Sequence, residues 1–165
     1  MLIYLDANIV QDTADYADFL FGTQADCPVE ERVAQRELCA LRELIDLEQF
    51  GSWTIANCDY LQVELHRGRP SNDQLQTYEM LNDCVNPECA FDERVFRDVL
   101  QDLLPLRLRD RADQWHLATA VAMGASWFLT NDHGILRKVS GLIRSTRVAS
   151  PSECIEEISV GLFLR

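Results

Sequence analysis

The chain has 165 residues, of which 47% are apolar and 25% charged. These are the proportions of one soluble globular domain able to bury a core, and they exclude a disordered or fibrous chain. A net charge of −12 excludes binding of nucleic acid by bulk attraction. The absence of any run of about 18 apolar residues excludes a membrane span.

The first ten residues, MLIYLDANIV, lack a basic segment and meet an acid at Asp6. They do not read as a secretory signal, and a cytoplasmic location is expected. Residues 2–5, LIYL, are a short apolar run ending at Asp6, the pattern of a buried strand. A helix is expected over 9–21 and a loop over 22–28. Pro28, Glu30 and Glu31 are first-turn signals for a long helix whose apolar positions 34, 38, 41 and 45 share one face. Gly51 stops that helix, and WTIA (53–56) is expected as a second strand. A short helix then carries Leu61, Glu64 and Leu65 as far as Gly68–Pro70, and another spans 72–83. Asp92 is placed to cap a helix with apolar positions 95, 96, 99, 100 and 103. Residues 113–123 form the next helix, closed by Gly124. WFLT (127–130) is a third strand, 133–140 a short helix, and TRVAS (146–150) a last strand, after which Pro151 is expected to open a C-terminal tail.

Strands alternating with helices predict a single α/β domain with a mostly parallel sheet. Ligands of such sheets bind beyond the carboxyl ends of the strands. The six cysteines (27, 39, 58, 84, 89 and 154) include no CxxC pair and are irregularly spaced, so reduced thiols are expected rather than a zinc site.

Charge is unevenly spread. Residues 1–64 carry a net −10, whereas 103–150 carry a net +4, with Arg107, Arg109 and Arg111 just before Asp113. These three arginines are candidates for a basic rim that holds a phosphate backbone beside an acidic site. The acid-rich stretch 12–28 also holds Tyr16, Phe19 and Leu20, which form one apolar stripe at helical spacing. That stripe suits either this protein's own sheet or a partner groove, and a homodimer or a basic partner is expected if the latter holds.

Four acids stand where the alternation brings elements to one edge. Asp6 ends the first strand, Asp132 follows the third, and Asp113 opens the helix that feeds the third. Glu64 lies on the helix leaving the second strand, and helical side chains lean toward the helix N-terminus, back to that edge. Each has a structural alternative: Asp113 as a helix cap, Asp132 as a turn residue, Glu64 as a surface acid. Asp6 has the weakest one, because an acid ending a buried strand must be paired or accessible. Two bare carboxylates about 4 Å apart repel by roughly 4 kcal/mol at an effective dielectric near 20. An all-oxygen set therefore calls for a hard cation such as Mg²⁺ or Mn²⁺, and metal-assisted attack of water on a phosphodiester is the chemistry such sites favour.

LDANI (5–9), VEL (63–65), DQWHLATA (113–120), FLTND (128–132) and RVASPSE (147–153) stand in the order of the PIN-domain family, the metal-dependent ribonucleases. The chain resembles that family along most of its length. The resemblance implies a Rossmann-like α/β/α sandwich spanning 1–165 as a single PIN-like domain. It implies cleavage of RNA, expected to be single-stranded, with one or two Mg²⁺ or Mn²⁺ ions held by Asp6, Glu64, Asp113 and Asp132. Asn8 and Thr130 match the polar positions that orient those acids. Many small members are toxins of type II toxin–antitoxin pairs, so a cognate antitoxin is an expected partner. The longer stretch 12–28 and the strong acidity depart from that subgroup. The second reading is a catalytically silent PIN-like module that binds RNA or protein. A third, a haloacid dehalogenase-like phosphatase, is disfavoured because Asp6-Ala7-Asn8 lacks the second Asp of a DxD strand end.

His116 is expected as a packed, hydrogen-bonded histidine, His133 as an exposed helix-start residue, and His66 as a candidate phosphate contact. Trp53, Trp115 and Trp127 are expected in or beside the core, with Trp115 a candidate platform for a nucleobase.

Overall fold

The computed structural model of the chain describes residues 1–48, 54–56, 58–83, 90–108, 110–139 and 141–163. Its four strands are β1 (Leu2–Leu5), β2 (Thr54–Ala56), β3 (Trp127–Leu129) and β4 (Arg147–Ala149). They pair in the order β2-β1-β3-β4, and every pairing is parallel. Ile3 stands opposite Ile55 on one side and Trp127 on the other, and Phe128 stands opposite Val148. β1 and β3 are neighbours in space although more than 120 residues separate them, so the crevice beyond their carboxyl ends lies where the winding of the sheet reverses.

The strands are apolar except for exposed Thr54 and Arg147, the first residues of β2 and β4, because helices cover both faces. Ile3, Leu5, Ile55, Trp127, Leu129 and Ala149 point into one core layer. Against them pack α1 (Ala7–Asp15), α2 (Ala17–Leu20), α3 (Arg32–Glu48) and α9 (Pro151–Phe163). Tyr4, Ala56, Phe128 and Val148 point the other way, onto α7 (Arg111–Ala122), α8 (His133–Val139) and the end of α6 (Glu93–Leu103). This alternation is the two-residue period of a strand with both faces buried. The expected α/β fold with a parallel sheet is observed. Two further helices, α4 (Asp59–Arg67) and α5 (Asn72–Asp83), lie between β2 and α6.

Local signals explain most boundaries. Asp92 caps α6 by accepting from the Arg94 and Val95 N–H groups at 2.9 and 3.0 Å, as its position predicted. α5 occupies 72–83 as expected.

Three expectations need correction. The helix expected over 9–21 is broken at Tyr16, which is the C-cap of α1 and the N-cap of α2. The long helix starts at Arg32, not at Pro28, because Glu31 supplies the cap, accepting from the Val33 and Ala34 N–H groups at 3.2 and 2.7 Å. Position 34 is accordingly exposed, while Leu38, Leu41, Leu44 and Ile45 are buried.

The third correction is at the C-terminus, which is no tail. Residues 151–163 form α9, which packs on α3. Its start is a capping box: the Ser150 N–H donates to Glu153 at 3.0 Å and the Glu153 N–H donates to the Ser150 hydroxyl at 3.4 Å. In the acidic stretch 12–28, Phe19 is only 3% exposed, Leu20 is buried with it, and Tyr16 packs beside them, so of the two places expected for the apolar stripe it takes this protein's own core. Expectations about Gly51, Trp53, Cys84, Cys89 and Arg109 lie outside the described residues. Among the described residues no helix is long and apolar enough to cross a membrane.

Candidate functional site

The chain leaves β1 at Asp6, which caps α1 and is only 4% exposed. Its Oδ1 accepts from the Ala7 N–H at 2.8 Å, and its Oδ2 accepts from Asn8 Nδ2 at 2.7 Å and Thr130 Oγ1 at 2.6 Å. Thr130, just past β3, also accepts from Asn8 Nδ2 at 3.1 Å and from the Asp132 N–H at 3.0 Å. Asn8 Oδ1 accepts from the Asn131 N–H at 3.1 Å. The ends of β1 and β3 are thus clasped by side chains, and Asn8 and Thr130 do orient Asp6. Burial raises the Asp6 carboxyl above its ordinary value; the Thr130 hydrogen bond, His116 and the Ala7 N–H oppose this, and Glu64 adds to it.

Asp132 opens α8. Its Oδ1 accepts from the Gly134 and Ile135 N–H groups at 2.6 and 3.2 Å. A Cβ on Gly134 would lie 2.8 Å from that oxygen, so a residue without a side chain lets the carboxylate sit there. Asp113 is the third residue of α7, and the cap is Asp110. The two form a capping box, with Asp110 accepting from Ala112 at 3.1 Å and Asp113 Oδ2 accepting from the Asp110 N–H at 3.3 Å. Burial pushes Asp113 up to about 6; the Asp110 N–H opposes the shift, and the charges of Asp6, Asp132 and Asp110 add to it. The helix that delivers Asp113 therefore sets it in the field of two other predicted site acids.

Glu64 joins through a different group. Its Oε2 lies 2.6 Å from His116 Nε2, and His116 Nδ1 lies 2.7 Å from the Tyr4 hydroxyl. His116 is only 1% exposed, the packed and hydrogen-bonded histidine expected. Burial lowers its proton affinity, but hydrogen bonds to Cys58 and Glu64 outweigh that and leave it above the ordinary histidine value. The Tyr4 hydroxyl also lies 2.9 Å from Cys58 Sγ.

Asp6, Asp113 and Asp132 have no cationic side chain as an ion-pair partner among the described residues. The described ion pairs join Arg36 to Glu156, Arg97 to Glu93, Arg147 to Glu157 and His116 to Glu64. One oxygen each of Glu64, Asp113 and Asp132 accepts no hydrogen bond from a described residue. An oxygen-only donor set with surplus negative charge fits a hard divalent cation. As they stand, no three His, Cys, Asp or Glu side chains among the described residues close around one point as metal ligands would.

Of the candidate RNA-binding arginines, Arg107 and Arg111 are exposed, and Arg107 has a left-handed φ of 46°. Its carbonyl accepts from Lys138 Nζ at 2.7 Å, which brings a further cation to the loop that leads into α7. Trp115 is 44% exposed and meets the Phe96 ring edge-on at 5.0 Å, beside the core rather than in it. Trp127 is buried. His133 is exposed at the start of α8, and His66 Nδ1 lies 2.7 Å from the Gln62 carbonyl.

Sequence reasoning missed Tyr4, Cys58, Asp110, Asp12 and Asn131. Asp110 stands three residues before Asp113, the capping-box spacing, and could have been found from that. Burial raises the Asp12 carboxyl, against the Asn131 amide that donates to it at 2.8 Å. No local signal marks Tyr4 or Asn131. Behind Asn131 opens a separate cavity of about 640 Å³, bounded by α1, α3 and the start of α9, whose lining includes none of the four predicted acids. Comparison of the chain with protein-family models, with curated proteins and with solved structures gives no match.

Proposed function

We infer that the chain is a metal-dependent endoribonuclease of PIN type, hydrolysing phosphodiester bonds of single-stranded RNA at the carboxyl edge of the sheet. The observation that carries this reading is that Asp113 stands in the field of Asp6 and Asp132, three acids from three elements that share no cationic partner among the described residues. Gathered in this way, these acids raise the cost of ionising one another, a cost that a bound cation removes.

Asp6, Asp113, Asp132 and Glu64 would hold one or two Mg²⁺ or Mn²⁺ ions. When bound, such an ion lowers the pKa of water and neutralises charge on the scissile phosphate. The chain supplies the rest. Thr130 and Asn8 hold Asp6 in one rotamer, and the Gly134 and Ile135 N–H groups do the same for Asp132. With Asp113 near 6, a carboxylate is available above that pH, whereas protonation below it removes a ligand. Exposed Arg107 and Arg111 bind the RNA backbone on the α7 side, with Lys138 beside them. The toxin assignment and its antitoxin rest on the resemblance alone.

One observation favours the second reading, a silent PIN-like binding module. Asp113 and Asp132 both complete helix starts, and Glu64 is held by His116, so these acids have structural work without metal. Cleavage of single-stranded RNA with and without Mg²⁺ or Mn²⁺ separates the two. Cleavage that needs metal and disappears in Asp6→Asn supports the nuclease. RNA binding with no cleavage under any metal supports the module.

A further inference from the structure

Cys58 lies between β2 and α4, at the N-cap of α4, and is partly exposed. It is one member of a cluster that also draws on β1, α4 and α7. The Tyr4 hydroxyl of β1 stands 2.9 Å from its sulfur and 2.7 Å from His116 Nδ1, while Glu64 of α4 holds His116 Nε2 at 2.6 Å. His116 also hydrogen-bonds the thiol, while the Leu61 N–H donates to the Cys58 carbonyl at 3.0 Å. Thiol, imidazole and carboxylate thus follow the pattern of an activated nucleophile: a nucleophile within reach of a base that a third group orients. A helix N-terminus adds positive potential on the same sulfur. Nothing in the nuclease reading uses Cys58.

We propose that Cys58 is a modification site, a thiolate that reacts with peroxide to form a sulfenic acid. The sulfur attacks one peroxide oxygen, an S–O bond forms and the O–O bond breaks. Sulfur loses two electrons, and the departing hydroxide takes a proton from solvent to become water. The donors around the sulfur favour the reactive anion. Burial alone would raise the thiol, but the hydrogen bonds from His116 and Tyr4 outweigh it and leave Cys58 below the ordinary cysteine value. The other described cysteines lack this setting. Cys39 is exposed, yet slight burial and the neighbouring Cys27 raise its thiol, and Cys154 is buried and pushed up to about 12. A peroxide of small size reaches a partly buried sulfur, so environment rather than exposure sets the order of reaction.

The test exposes the full chain to limiting hydrogen peroxide at neutral pH and traps sulfenic acid with a cyclic 1,3-dione. Peptide mass spectrometry then follows each cysteine over time. Cys58 is expected to label before the more exposed Cys39 and severalfold faster. Tyr4→Phe, which removes one donor to the sulfur, should slow Cys58 and leave Cys39 unchanged. Labelling of Cys39 ahead of Cys58 overturns the proposal, as does an unchanged Cys58 rate in a folded Tyr4→Phe. New labelling at Cys154 would reveal a variant that has unfolded, and the order in the unaltered chain then decides. Since the readout is thiol chemistry, it stands or falls independently of the nuclease reading.

Discussion

Thr130 shows how a neutral residue governs a charged one. Its hydroxyl donates to Asp6 at 2.6 Å while accepting from Asn8 and the Asp132 N–H, inside a fully enclosed site. Thr130→Val keeps the shape and removes these bonds, leaving a buried carboxylate short of a donor. A loss of roughly 1.5–3 kcal/mol is expected in denaturant unfolding, together with a higher Asp6 pKa. Asp113 makes a separate prediction about pH. Its folded value of about 6 lies above the ordinary carboxyl value of 3.8, so the folded state holds the proton more tightly than the unfolded chain does. Without metal, this group's contribution is fully present below about pH 4 and is lost as pH rises through about 6. Thermal melts in a chelating buffer should therefore fall across pH 4–6, and Asp113→Asn should flatten that fall. A wild-type profile that rises through this window would mean that burial and the neighbouring acids do not hold Asp113 above its ordinary value.

Among the elements, α8 is where geometry is tightest. Gly134→Ala would set a methyl group 2.8 Å from Asp132 Oδ1, which is held by two N–H groups and cannot retreat without losing them. The variant should keep its fold yet bind Mn²⁺ several times more weakly by titration calorimetry. Equal affinity would remove Asp132 from the ligand set. α9 depends on α3 through Glu37, whose carboxylate accepts from the Ser152 N–H at 2.9 Å and its hydroxyl at 2.6 Å. Ser152 is buried, so Glu37→Ala leaves its N–H unpaired, while its hydroxyl keeps Ser150 Oγ at 3.2 Å, and should cost about 1–3 kcal/mol in chemical denaturation. A neutral result would show that solvent reaches the α3–α9 seam.

At the scale of the whole molecule, the charge is divided between an acidic first third and a basic stretch that leads into the first residue of α7. Replacing Arg107, Arg109 and Arg111 together by Ala should reduce the salt slope for single-stranded RNA by about 0.7 for each phosphate the rim no longer neutralises. Affinity and slope that stay unchanged would return these arginines to ordinary surface charge. The acidic stretch acts inward instead. Phe19 is buried and carries Arg42 over its ring at 4.8 Å. Phe19→Asp should therefore unfold the chain, a loss of several kcal/mol, rather than split a dimer. Circular dichroism with light scattering tells these apart.

The alternation of apolar runs and helical periods was enough to place every strand and most helices, because those signals lie within ten or twenty residues and depend on which faces are buried. It also put Asp6 and Asp132 at strand ends, where the parallel sheet directs them to one edge. α9 carried its own mark in Ser150-Pro151-Ser152-Glu153, but what makes it a helix rather than a tail is its seat on α3, and Glu37 lies 115 residues from Ser152. The same limit hides the cluster of Tyr4, Cys58, Glu64 and His116. Tyr4 and His116 are 112 residues apart, and Glu64 and His116 are 52 apart. No local pattern links them. Their meeting depends on the order of strands and on which face of α7 turns to the sheet, and those are settled only when the layers pack.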